Sequence, residues 1–195
     1  LLLTSGLSTA AHAAWPSTGL PVADGVGAQT ALALHSDGVG GAFVIWAEAA
    51  GAPLRMQRIT ASGVVAVGWP AGGIALPTLE FLRATEDGAG GMIVFFRTAT
   101  QSVPSGRIRE FRAWRYAPDG ALFPGWPAAG AVVFTESHDV FDSLPMQGQY
   151  DFRAIPDGSG GAYLTCSFQR PPSQFGHHHA RAMNTGVAGP YYFVE

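Results

Sequence analysis

The chain has 195 residues, of which 13% are charged and 47% hydrophobic, with 26 glycines, 14 prolines and a formal net charge of −3. So apolar a chain with so little charge is not intrinsically disordered, and no apolar run approaches the roughly 20 residues that a membrane-spanning helix needs. All 11 basic residues are arginine, and a slightly acidic chain lacks the basic footprint of a nucleic-acid binder, so neither nucleic acid nor a membrane span is expected.

The N-terminal run LLLTSGLSTAAHAAW reads as the end of an apolar export segment, and Ala11-His12-Ala13 supplies the small-x-small pattern of a signal-peptidase site. Residues 1–13 are therefore expected to be the C-terminal part of a signal peptide, and the protein to be secreted, periplasmic or held at the cell surface. The absence of lysine and the abundance of Ala, Gly and Pro fit the codon bias of a GC-rich bacterial genome.

Internal repetition dominates the rest of the chain. Asp37-Gly38-Val39-Gly40-Gly41 recurs at 87–91 and 157–161, each time before an apolar stretch, AFVIWAE, MIVFFRT and AYLTCSF. A second block, MQRITASGVVAVGWPAGGIAL from Met56, aligns without gaps at an offset of 57 with AWRYAPDGALFPGWPAAGAVV from Ala113. Arg58, Gly63, Trp69 and Pro70 thereby match Arg115, Gly120, Trp126 and Pro127, and a weaker third copy places Arg181 and Gly186 in register. Trp15-Pro16 matches the later Trp-Pro pairs, so units are expected near 15–68, 69–125 and 126–195.

In chain order the first unit reads as four strands, TALALHS, AFVIWAE, PLRMQRIT and VVAV, with 74–76 either continuing the fourth or standing alone. DGxGG is a hairpin loop in which Asp caps its own turn and the glycines take positive φ. Ser62-Gly63, Asp119-Gly120 and Thr185-Gly186 close the next hairpin. The spacing predicts an all-β, β-propeller-like array of about three four-stranded antiparallel blades, part of a six- to eight-bladed ring that would need about 330 to 440 residues.

The run DGxGGxxxxW, an Arg-bearing strand, a DG turn and a Trp-Pro or Gly-Trp-Pro before the next repeat resembles a group of secreted bacterial β-propeller repeat proteins, over essentially all of 15–190. The Trp46 position becomes Phe96 and then Phe168 or its neighbour, and the third unit lacks its Trp-Pro pair. The resemblance implies a binding or scaffolding module for protein or carbohydrate, without catalysis of its own. The alternative is part of a propeller-fold carbohydrate-active enzyme, a glycosidase or polysaccharide lyase.

Strand parity puts DGxGG and the second turn at one end of each blade and the remaining connections, 49–52, 99–108, 136–149 and 170–176, at the other. These vary in length, so the variable end is the expected binding face, with His138, Asp139, Asp142, His177 and His179 as its candidate residues. In a strand His177 and His179 would share a face, but no third ligand is near in sequence, so the three consecutive histidines 177–179 are expected on a solvated or partly packed edge strand, and neither a metal nor another cofactor is expected. Asp139 with Asp142, or Asp151 with Asp157, are carboxylate pairs too common in spacing to imply acid-base catalysis. GxSxG, HExxH, Walker, Rossmann and CxxC motifs are absent from the sequence. Arg58, Arg115 and Arg181 are expected to pair carboxylates or stack on aromatics, Trp15, Trp69 and Trp126 to pack between blades, and Cys166 to be a packed thiol. An arc of three blades would leave sheet faces uncovered at both ends, so self-association is expected of the chain on its own.

Overall fold

The computed structural model describes residues 22, 29–49, 52–76, 81–139, 150–170, 174–182 and 192–194, excepting the side chains of 81–82, 138–139, 150–151 and 166 onward. Those residues form β-strands and turns, with no helix among them, and no helix long and apolar enough to cross a membrane. All strand pairings are antiparallel.

The first sheet is a meander of β1 (Thr30–Ser36), β2 (Ala42–Ala47), β3 (Leu54–Ile59) and β4 (Ile74–Leu76), in that spatial order. The second contains β5 (Phe81–Glu86), β6 (Met92–Arg97), β7 (Gln101–Val103), β8 (Gly106–Tyr116) and β9 (Ala131–Asp139), with β8 pairing β6, β7 and β9. The third, β10 (Tyr150–Pro156), β11 (Ala162–Arg170), β12 (Gln174–Ala182) and β13 (Tyr192–Val194), is again a simple meander. The leading strands adjoin, β5 lying against both β1 and β10.

Two apolar layers lie between the sheets. Phe43, Ile45, Leu54, Met56 and Trp69 of the first sheet meet Ala84, Met92, Val94, Phe96, Trp114 and Tyr116 of the second. Ile93, Phe95, Phe111 and Ala113, on the second sheet's other face, meet Phe152, Ala162 and Leu164 of the third. The middle sheet is thus covered on both faces, which is why β6 reads as an unbroken apolar run rather than an alternating one.

The structure corrects four expectations. Residues 64–67 are not the fourth strand: only Val65 bridges back, to Ile59, while Val64 and Val67 are exposed. After β3 the chain makes successive turns closed by Gly63 N to Thr60 O, Trp69 N to Ala66 O and Gly73 N to Pro70 O, and Ile74–Leu76 then pairs with β3. Positive φ at Gly63, Gly68 and Gly73 breaks any ladder across this stretch. Second, much of 99–108, together with 136–139, 170 and 174–176, is strand: β7, β8 and β9 form a ribbon, and β11 pairs β12 out to Arg170 and Gln174, while 140–149 and 171–173 lie outside the described residues. Third, register puts Cys166, not Phe168, at the Trp46 position, because Trp46 faces Arg55, Phe96 faces Arg112 and Cys166 faces His178. Fourth, the strand bearing the three consecutive histidines is not at a sheet edge, since β12 pairs with β11 on one side and β13 on the other.

Candidate functional site

One end of the sheets is the same structural device repeated. In each DGxGG hairpin the Asp Oδ1 accepts two backbone amides: from Val39 and Gly41 at 3.0 and 2.7 Å, from Ala89 and Gly91 at 2.8 Å each, and from Ser159 and Gly161 at 2.7 and 2.9 Å. In the first two sheets the other oxygen takes an arginine from the third strand of the meander. Arg58 Nε and Nη2 donate to Asp37 Oδ2 at 3.0 and 2.8 Å, and Arg115 Nε donates to Asp87 Oδ2 at 2.7 Å. Burial opposes the charge on Asp37, but the Val39 amide, Arg58 and the Gly41 amide outweigh it and hold its carboxyl below the usual carboxylate range. Arg181 occupies the same register, opposite Tyr163 as Arg58 is opposite Phe43 and Arg115 opposite Ile93.

The device also joins sheets. Trp69 Nε1 and Arg58 Nη1 of the first sheet both donate to the carbonyl oxygen of Pro118 in the second, at 2.9 and 3.0 Å. The indole lies on Gly120, where a Cβ would stand 3.1 Å from Trp69 Cε2. Trp126 is buried in the layer shared with the third sheet, and Trp15 lies outside the described residues. These arginines and tryptophans are therefore committed to carboxylates and inter-sheet contacts, as expected for Arg58, Arg115, Trp69 and Trp126.

A second arginine repeat escaped the sequence reading. Arg55 Nη1 donates to the carbonyls of Gly72 and Gly73, and Arg112 Nη1 to those of Ala129 and Gly130, each arginine also pairing a glutamate, Glu48 or Glu110. The signal was present, since Arg55 and Arg112 share the offset of 57 and stand just before the aligned block.

The other end differs from sheet to sheet. In the first, residues 48–53 simply link β2 to β3. In the second, Thr98 and Thr100 carry the pairing across the gap between β6 and β7: Thr98 N donates to Glu110 O at 2.9 Å, and Arg109 Nε and Nη2 donate to Thr100 Oγ1 at 3.1 and 2.8 Å. The result is a long ribbon with β8 in its middle. Arg107 and Arg109 alternate onto the face of Phe111, opposite His138 and Glu136 of β9, and Arg97 pairs opposite Phe111 on β6. Guanidinium groups there can engage carboxylates or ligand hydroxyls.

His138 and Asp139 are the last residues of β9, paired opposite Arg107 and Gly106 at the ribbon's end. His177 and His179 lie within β12, opposite Ser167 and Thr165 on one side and Val194 and Tyr192 on the other. Since β12 lies against β9, four of the five sequence candidates fall on two adjoining strands. Asp142 lies outside the described residues, as do the side chains of the other four. Asp151 and Asp157 flank β10 near its opposite ends, about 20 Å of strand apart, and Asp157 is engaged in its own turn. Among the described residues no group of His, Cys, Asp and Glu is arranged to hold a metal ion.

The class defined by these observations is an all-β protein of repeated antiparallel meanders packed face to face. Comparison with known proteins goes no further: no family model, curated protein or solved structure matches the chain.

Proposed function

We propose that the chain is part of a β-propeller-type scaffold, secreted or displayed on a bacterial surface, that binds a carbohydrate or protein ligand and has no catalysis of its own. One observation carries this reading: the two ends of the sheets are built differently. The DGxGG end spends its polar side chains on the Asp–Arg links and on the Pro118 carbonyl. The opposite end carries the connections that change from sheet to sheet, including the extended ribbon of β7, β8 and β9 with Arg107 and Arg109. Variable connections on a repeated rigid frame are where recognition is placed. The blade-like meanders and the adjoining leading strands β1, β5 and β10 support the propeller form.

The test is to replace residues 98–109 by a connection as short as that between β2 and β3, and to screen both proteins against polysaccharides and cell-envelope proteins immobilised on a sensor surface. The parent is expected to bind a ligand that the shortened protein, with an unchanged melting temperature, no longer binds. Retention of that binding by the shortened protein would overturn the assignment of the ribbon end, and absence of any ligand for the parent would overturn the binding function.

A further inference from the structure

Trp69 joins the first sheet to the second through a contact that both partners specify in their sequence. It opens the turn Trp69-Pro70-x-x-Gly73, closed by Gly73 N donating to Pro70 O at 2.9 Å, and the same turn recurs as Trp126-Pro127-x-x-Gly130, closed at 2.8 Å. The indole lies on Gly120 and Nε1 donates to Pro118 O, so its seat is the turn at 117–120. Each of these tryptophans precedes the sheet it packs on: Trp69 comes before β5, and Trp126 before β10, whose layer buries it. The first sheet carries the same seat. Gly63 N donates to Thr60 O at 2.9 Å and Thr60 N to Val64 O at 2.8 Å, as Gly120 N does to Ala117 O at 2.9 Å and Ala117 N to Ala121 O at 2.8 Å. Gly63 has φ 78° against 86° at Gly120, and Val65 bridges Ile59 as Leu122 bridges Tyr116. Ala61 therefore stands where Pro118 presents its carbonyl, and Gly63 where Gly120 receives the indole.

We infer that this seat is filled by Trp15 of the same polypeptide, its Nε1 donating to the carbonyl oxygen of Ala61 and its ring lying on Gly63. Trp15-Pro16-Ser17-Thr18-Gly19 is the remaining copy of the turn motif in the sequence, and it is the copy next before β1. Trp15 lies 15 residues before Thr30, whereas Trp69 reaches its seat from 12 residues before Phe81, so the connection is long enough. Burial supplies an independent observation. Trp46 and Gln57 alternate onto the face of the first sheet turned away from the second, yet they are 3% and 0% exposed and belong to neither inter-sheet layer. That face is thus covered at β2 and β3, while Leu34 of β1 on the same face is 71% exposed. Gln57 stands at the repeat position of Trp114, which shares its layer with Trp69, so Trp15 in the corresponding seat covers Gln57. The first copy departs from the others at one position: Ala14 precedes its tryptophan, where Gly68 and Gly125 have φ 90° and 86°. At Gly68 a Cβ would stand 3.0 Å from Asp119 O. Alanine at 14 therefore holds Trp15 in its seat less firmly than glycine would.

The experiment is nuclear magnetic resonance of the full chain, in which each tryptophan gives one indole N–H signal. The Trp15 signal is identified by its loss in Trp15→Phe, with circular dichroism confirming that the variant folds. The parent is expected to show Overhauser contacts from the Trp15 indole to the α-protons of Gly63, matching those from Trp69 to Gly120, and slow solvent exchange of both N–H groups. Ala14→Gly should slow exchange at Trp15 further and leave Trp69 unchanged. An equal mixture of isotope-labelled and unlabelled chains should show the Trp15 contacts only within one chain. Exchange at Trp15 as fast as in urea, contacts to residues away from the Gly63 turn, or contacts between labelled and unlabelled chains would overturn the proposal. So would an Ala14→Gly variant whose Trp15 N–H exchanges as fast as the parent's or faster.

Discussion

Nε of Arg115 donates to Oδ2 of Asp87 at 2.7 Å, and both side chains are buried, with the guanidinium carbon 3.7 Å from the centroid of the Phe123 ring. The same carboxylate closes the hairpin through its other oxygen, so one side chain ties a turn to the third strand of its meander. Removing one partner of such a pair leaves the other charge buried and uncompensated. Arg115→Ala is therefore expected to destabilise by about 3–5 kcal/mol in urea titrations. Arg58→Ala, whose guanidinium is partly exposed, should lose less, about 1–3 kcal/mol. Equal losses would show that burial does not set the strength of this link.

The hairpin glycines separate two causes of intolerance. Gly88 has φ 74° with nothing near its missing Cβ, so Gly88→Ala should cost only the left-handed backbone, about 1–2 kcal/mol. Gly91 is not in that region, yet a Cβ there would collide with the Tyr116 carbonyl oxygen and with Asp87 Oδ2. Gly91→Ala should cost about 3 kcal/mol, the upper range of overpacking, and Gly90→Val, at φ 81°, about 1–3 kcal/mol. Melting temperatures for the three variants, ordered with Gly91→Ala lowest, check the assignment.

Pro118 O accepts from both Trp69 and Arg58, which makes the inter-sheet contact accessible to a double-mutant cycle. Trp69→Phe and Arg58→Met each leave the carbonyl one donor, while the double variant leaves it neither. The double variant should lose more than the sum of the singles, with a coupling of about 0.5–3 kcal/mol. Strict additivity in chemical denaturation would mean that the two donors do not share their acceptor in solution.

Stability should depend on pH in two windows. Burial first, and then the charge of Arg83, hold the His35 imidazole below its ordinary pKa of 6.5. The unfolded chain therefore binds the proton more readily, and stability falls as pH drops below about 6.5. His35→Gln should show a shallower loss between pH 7 and 5 than the parent. Asp37 is also depressed, so its contribution is present above the unfolded carboxyl pKa of about 3.9 and is lost as pH falls through the folded value. Asp37→Asn should accordingly be less stable at pH 7 but should converge on the parent in acid. Parallel pH profiles for parent and variants would contradict these assignments.

The elements legible in the sequence are those whose physics is local. A DGxGG hairpin is specified within five residues, because the Asp side chain reaches its own turn amides and glycine alone takes positive φ without strain. The recurrence of Arg58 and Arg115 likewise announced a repeated partner, and the partner is the Asp of that hairpin. Only the tertiary structure decided that Ile74–Leu76 and not 64–67 completes the first sheet, that Thr98 and Thr100 carry a ribbon across what reads as a loop, and that Cys166 takes the place of Trp46. Each of these depends on which distant strand supplies the pairing partners, and strand pairing is selected by packing across the whole sheet rather than by the residues of the strand itself.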